Sequence, residues 1–422
     1  MSNKSLVPGK YLVPFILITI LFFLWAFLHN SNPILIPHLK KACQLTDTES
    51  SFIDTAVYLG YFLIALPAGL FMKKYGYKNG ILVGLVLFAA GSFLFYPAAS
   101  ARSFEFFLVA LFIFAAGATF LETAANPFAA GMGDPVTSEQ RLNLAQSFNG
   151  LGAVIAPIIG GQFILSGIEH SADELALMSP EQLNNYLQSE ADAVKIPYMI
   201  MGAAVVLVTI LIAVTKFPAV KGEGHDTGKG FSFSVFRHRN VAGAVTAQLF
   251  YVGAQVCVGS FFVRYSNQLM NMPEKEAASL WGFVAMGGFM AGRFVGTWLM
   301  KYIKPASLLA LYSVINITLL GVGLLTSGAT AVYCIVAVPF FMSIMFPTIF
   351  ALGIKDLNED ETKIASSFLI MSIVGGAIFP VFMGMISDST GSIQNAYIVP
   401  LACFVITFWF GWRGYKTQPT TN

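Results

Sequence analysis

Glu122 sits deep in an apolar run, Ala118-Thr119-Phe120-Leu121-Glu122-Thr123-Ala124-Ala125-Asn126-Pro127. An ionisable group in hydrocarbon costs about 2.5 kcal/mol or more, so such an acid is read as functional. A carboxylate there can take up and give back a proton, or pair with a cation, for instance Arg293 in Gly292-Arg293-Phe294. Arg293 is also near enough to the end of its own run to snorkel to the surface. Asp54, in Ser51-Phe52-Ile53-Asp54-Thr55, lies near the start of another run. A coupling role and a helix-dipole role are both open to it. Uncharged amides accompany these charges. Asn30 and Asn32 follow Trp25 and precede Pro33, in a stretch where polar residues and a proline interrupt the helix. Asn143, Gln146 and Asn149 recur at helical spacing and form a polar stripe. Asn126 stands one turn after Glu122, and Gln255 stands one turn after Tyr251. Amides both donate and accept hydrogen bonds. Set beside flat apolar surfaces such as Trp25, Phe128, Tyr251 and Phe346, they suit a neutral polyol or sugar. Taken singly, each aromatic is more often core or lipid-facing.

The elements that carry these residues are membrane helices. Of the 422 residues, 56% are hydrophobic and 11% charged, Phe occurs 39 times, and the net charge is +2. Mean hydropathy is +0.70. That excludes an ordinary cytosolic enzyme, a disordered chain and a nucleic-acid binder. Long apolar runs argue against a transmembrane barrel. Twelve runs reach the ~20 residues a spanning helix needs: 11–38, 50–72, 79–99, 104–132, 141–167, 196–216, 240–266, 275–300, 305–327, 329–354, 362–387 and 394–414. The first is too long for a signal peptide and leads straight into further spans. The expected class is an all-α polytopic membrane protein with twelve transmembrane helices. With both termini cytoplasmic, 17 of the 24 Lys and Arg fall on the cytoplasmic side and 6 outside, as the positive-inside rule requires. Residues 168–195 form a long external loop. Within it Ser179-Pro180-Glu181-Gln182 predicts a helix start. The polar, basic segment 217–239 divides the chain into halves, 1–216 and 240–422. Cys43, Cys257, Cys334 and Cys403 are scattered, so no metal site or disulfide framework is expected. No nucleophile elbow or nucleotide loop is present, and the five His are dispersed. A sensor would carry a soluble output domain, and the polar loops are too short for one.

The halves echo one another. At an offset of 220, Pro127, Gly133, Ala145, Ser147 and Phe148 meet Pro347, Gly353, Ala365, Ser367 and Phe368. At 227, Gly69 and Lys74-Tyr75 meet Gly296 and Lys301-Tyr302. Glu122 has Met342 as its counterpart, so the acid breaks the symmetry. Six spans, a basic linker and six spans resemble the major facilitator superfamily. Gly69-(x3)-Lys73-Lys74-x-Gly76-Tyr77-Lys78 is similar to its signature between spans two and three, with Lys73 in place of the usual Asp. Leu21-Phe22-Phe23-Leu24-Trp25-Ala26, Asn30-x-Asn32, Leu121-Glu122-Thr123-Ala124-Ala125-Asn126-Pro127 and Arg141-Leu142-Asn143-Leu144-Ala145-Gln146-Ser147-Phe148-Asn149 resemble the L-fucose/proton symporter family. So do Tyr251-Val252-Gly253-Ala254-Gln255 and Gly292-Arg293-Phe294-x-Gly296-Thr297-Trp298.

The resemblance implies a transporter that rocks between outward- and inward-open states. It implies proton-coupled monosaccharide uptake across a bacterial inner membrane, by a monomer in the lipid bilayer that needs no cofactor. Glu122 matches the family's coupling carboxylate, and Asn30, Asn32, Gln146, Asn149 and Gln255 match polar cavity positions. The chain departs from the family in four places. Pro33 stands where the family has Asp, which leaves sodium coupling or uniport as alternatives and suggests that Asp54 has taken over the acid's part. Met345 and Phe346 replace a Gln and a Tyr, and Gly259 replaces a Trp, of the fucose-carrying members. The expectation is a more apolar, roomier second-half wall, and with it a substrate other than fucose or one with fewer hydroxyls recognised there; a deoxysugar would fit.

Overall fold

A computed structural model of the chain describes residues 6–29, 42–45, 47–163, 174, 177–217 and 233–416. Among the described residues, ten helical stretches are long and apolar enough to cross a membrane. One of them, Ala56–Ala101, is 46 residues long and holds two spans. The helix Asp47–Ala101 that contains it turns at Gly76, where φ is 81°. Glycine enters that left-handed region without penalty, so the signature loop supplies the residue its turn needs. Span five, Ser138–Phe163, is not among the ten, because its amide stripe dilutes its hydropathy; at 26 residues it is long enough to cross. Among the described residues, helix is thus found in each of the twelve expected spans.

Span four, Phe104–Gly131, is buried at every position from Phe114 to Ala130. A helix apolar all round belongs in a protein interior. Glu122 therefore faces protein and cavity, not lipid. Several spans of the second half are segmented. Span seven bends at Phe261 between Arg239–Ser260 and Phe262–Met270. Span eight passes through a π turn, Leu280–Ala285, into Met286–Leu299. Span ten is interrupted at Ser343 and Ile344, between Gly328–Met342 and Met345–Gly353. Span eleven runs Glu359–Met371, then a 3-10 turn, then Gly375–Thr390. Such irregular backbone is tolerated at membrane depth only where protein groups satisfy it or it lines a cavity.

The expected loop helix is present as Pro180–Asp192, with Ser179 and Gln182 bonded reciprocally in a capping box. Of the linker 217–239, residues 218–232 lie outside the described residues. Its end, the 3-10 turn Phe233–Arg237, lays Phe236 against Phe368 of span eleven, ring centroids 4.7 Å apart.

The first six spans meet the last six along two seams, spans two and four with eleven, and five with eight and ten. The seam contacts cluster toward one face of the bundle, the face that carries Lys73, Lys74, Lys301 and Lys355, here termed the basic face. Lys73 Nζ stands 3.8 Å from Asp360 Oδ2, and Lys355 Nζ 2.7 Å from Glu139 Oε1. Lys363 lies over the Tyr77 ring. Gln140 donates to Thr297 O at 3.2 Å. Gly69 lets spans two and eleven touch: a Cβ there would collide with Ser367 Oγ and press on Lys363 O. Gly69 and Ser367 are both repeat positions, so the duplication marks the seams.

Candidate functional site

A cavity of about 280 Å³ lies between the two sets of spans, deeper than these contacts. Pockets for small molecules run from ~300 Å³ upward, so this space suits one small ring rather than two. Its first-half wall includes Trp25, Tyr58, Tyr61, Glu122, Gln146 and Asn149. Its second-half wall includes Val252, Gln255, Val256, Met286, Phe289, Arg293, Phe346 and Ile373. Polar groups dominate the first wall and apolar groups the second. A larger groove of about 930 Å³ opens on the basic face, lined among others by Lys10, Tyr77, Asp134, Lys355 and Glu359. None of the expected site residues lines it.

Glu122 is 7% exposed, and its Oε1 accepts a hydrogen bond from Tyr61 Oη at 2.8 Å. Its backbone carbonyl accepts from Asn126 Nδ2 at 2.7 Å, and Asn126 Oδ1 accepts from Gln146 Nε2 at 2.8 Å. Asn126 is therefore not a wall residue; it fixes the orientation of Gln146 from behind. Seven expected residues share the wall: Trp25, Glu122, Gln146, Asn149, Gln255, Arg293 and Phe346.

The others lie elsewhere. Asn143 donates to Glu139 O and to Thr348 Oγ1 of span ten, at 2.8 and 3.1 Å, so it belongs to the seam. Tyr251 is fully buried and donates to Met342 O at 3.1 Å, beside the interruption in span ten. Asn30 and Asn32 lie outside the described residues. Asp54 belongs to the helix Asp47–Ala101, and its side chain lies outside the described residues.

The anticipated ion pair between Arg293 and Glu122 is not formed. Arg293 donates through Nε to Ser343 O at 2.7 Å, and through Nη1 to Gln146 O and to Asn149 Oδ1, the latter at 3.3 Å. Its guanidinium also lies 4.6 Å from the centre of the Phe289 ring. Nor does Gly259 widen the cavity. A Cβ on it would face Trp281 Cζ2 at 3.1 Å, so an indole already occupies that side. Met345 is fully buried away from the wall, which leaves Phe346 as the substituted wall residue.

Tyr61 is the residue that sequence reasoning passed over. Its trace was a pair, Tyr58 and Tyr61, one turn apart in an otherwise apolar span.

Residues 15–373 match the description of the Major Facilitator Superfamily. The chain is 44% identical to an L-fucose-proton symporter of Escherichia coli (strain K12) over 421 residues, 98% of this chain and 95% of that one. It is 37% identical to a glucose/galactose transporter of Brucella abortus, covering 95% and 93%. A crystal structure of a major facilitator transporter, FucP, in the outward conformation superposes with a TM-score of 0.90 at 43% identity, covering 96% of this chain and 99% of that one. The proton:xylose symporter XylE shares the fold, with a TM-score of 0.73 at 12% identity, covering 96% of each chain. The chain belongs to the major facilitator superfamily and, within it, to the family of the L-fucose-proton symporters.

Proposed function

We propose that this protein takes up a monosaccharide together with a proton, by alternating access. One observation carries the reading: a buried carboxylate, Glu122, held by Tyr61, lies on the same small cavity as the amides Gln146, Asn149 and Gln255. The relatives named as an L-fucose-proton symporter and a glucose/galactose transporter support the substrate class. Trp25 and Phe346 supply flat surfaces for a sugar ring. On this reading Asn30 and Asn32, which lie outside the described residues, would add two further amides. The apolar second wall favours a sugar with one edge poor in hydroxyls, as in a deoxysugar.

In the proposed cycle, sugar meets the amides of spans one, five and seven from outside. Glu122 is protonated from the same side, and loss of its charge removes the desolvation penalty of enclosing it. The halves, 1–216 and 240–422, then rock about the cavity, and sugar and proton leave to the cytoplasm. A ligand shifts such an equilibrium only by differential affinity for the two states, and a neutralised carboxylate supplies it. The transporter works as a monomer in a bacterial inner membrane, with both termini and the basic face in the cytoplasm. Asp54 serves as a second coupling acid in place of the family Asp at the position of Pro33.

The test is uptake into proteoliposomes with an imposed pH gradient, using fucose, galactose, glucose, N-acetylglucosamine and deoxyribose in turn. Accumulation in the parent chain and none in Glu122→Gln is the expected result. Undiminished accumulation in that variant removes the proton role. Pro33 favours one second reading, sodium coupling. Replacing sodium by choline abolishes uptake on that reading and leaves it unchanged on the first.

A further inference from the structure

Arg293 is 4% exposed, and none of its hydrogen-bond partners is a carboxylate. A buried guanidinium is tolerable only when its donors are satisfied. Here the acceptors are divided between the two halves. One lies in its own half: Ser343 O, at the C-terminal end of the helix Gly328–Met342, where the helix dipole is negative. That acceptor is free because Pro347, four residues on, has no N–H to offer it. The bond moves with the second half and survives any rigid rocking. The remaining acceptors, Gln146 O and Asn149 Oδ1, are on span five, across the seam.

Depth along span five gives these bonds their meaning. From the basic face inward, span five engages the second half at Glu139, Gln140, Asn143, Gln146 and Asn149. The first three contacts lie in the seam. Arg293 makes the last two, and it also lines the cavity. Its side chain therefore both ties the seam and borders the space where substrate would sit, as does that of its partner Asn149. If the seam opens while the cavity is empty, the guanidinium must give up its fixed span-five acceptors, and no described protein group on its own half takes their place. If a sugar is present, its hydroxyl oxygens can accept from the guanidinium, and its hydroxyl protons can engage Asn149 Oδ1.

We propose that Arg293 is a positioning residue that latches span five to span eight while the cavity is empty, and that a bound sugar, by taking over Asn149 Oδ1 and offering its own oxygens, releases the latch. The second clause rests on the sugar reading given above; the first does not.

The experiment is hydrogen–deuterium exchange on the full-length protein in detergent, read by mass spectrometry. The parent chain is compared with Arg293→Met and Arg293→Lys, with and without L-fucose or D-galactose. Without sugar, Arg293→Met is expected to raise exchange at peptides covering 132–145 and 354–366 by roughly fivefold or more, the lower range of allosteric couplings. Peptides from 305–325 and 398–409, away from the seam, stay unchanged. Arg293→Lys, which keeps a cation, restores part of the protection. Exchange equal to the parent at the seam peptides overturns the latch. So does a uniform rise along the chain, which marks loss of stability. In the parent chain a transported sugar is expected to raise seam exchange, and in Arg293→Met to add nothing. If a sugar is carried yet leaves the parent's seam unchanged, the coupling is overturned. If none of the five sugars of the uptake panel is carried while Arg293→Met opens the seam, the latch stands and the sugar reading has failed.

Discussion

A carboxylate held by one phenol and a guanidinium held by carbonyls divide the work at the cavity. Tyr61→Phe strips Glu122 of its hydrogen bond without adding bulk. A hydrogen bond to a charged group contributes about 1.5–3 kcal/mol, so the variant should unfold at lower temperature in detergent at a pH where Glu122 is ionised. Glu122→Gln keeps an acceptor for Tyr61 and should not share that loss. If both variants melt like the parent, the Tyr61 bond contributes nothing to stability. Glu122 was legible because an acid in an apolar run is expensive. Tyr61 was not, because a tyrosine in a span usually packs. The partners of Arg293 were not legible either, since every residue carries a carbonyl and only the fold says which one is free. Asn143 and Asn149 show a further limit. Spacing put them on one stripe, but six residues of helix are about 9 Å of rise. That rise separates a seam residue from a wall residue, and spacing reports face, not depth.

At the scale of elements, the seams govern which state the helices prefer. Gly69→Leu places a side chain where span two touches Ser367 of span eleven. The closed basic face cannot accommodate it, so exchange at 354–366 should rise and uptake should fall. Unchanged uptake with unchanged exchange would show that the crossing yields without cost. The ion pair across the other seam is asymmetric: Glu139 is 1% exposed, whereas the Lys355 side chain is 38% exposed. Losing the lysine leaves a buried carboxylate with the Ser138 hydroxyl, 3.0 Å away, but without its cation, while losing the acid frees a half-exposed amine. Lys355→Gln should therefore open the seam more than Glu139→Gln. The double variant should show a coupling of roughly 0.5–3 kcal/mol in a cycle read by seam exchange. A coupling of zero would mean that the pair does not hold the seam. Periodicity located the helices, and the repeat offset marked Gly69 and Ser367 before any contact was known. The interruption of span ten was half visible: Pro347 announced an orphan carbonyl at Ser343, but nothing nearby announced the Arg293 donor that satisfies it.

Across the whole molecule, sidedness is the property most directly written in the chain, because Lys and Arg are unevenly retained on the two sides of a membrane. Which side is closed is not written there, since the same residues serve both states; that comes from the seam bonds on the basic face. With the basic face in the cytoplasm, as proposed above, those bonds seal the cytoplasmic side. Cys43 offers a native probe of this arrangement. It lies in the connection between spans one and two, partly buried, with Sγ 3.9 Å from Arg102 O. Burial pushes its thiol up, an effect the nearby Arg102 opposes in part. A membrane-impermeant maleimide added to intact cells should label Cys43. Because the reagent attacks the thiolate, the rate should climb steadily as the external pH is raised from about 7 to about 9 and should stay below that of an ordinary thiol at each pH. Lys301 is exposed on the basic face, and Lys301→Cys should react only after the membrane is permeabilised. Protection of Cys43 in intact cells, together with labelling of Lys301→Cys there, would invert the orientation and with it the direction assigned to transport. The two probes stand on opposite faces, so one reversed result without the other would point to a misplaced loop rather than to an inverted protein.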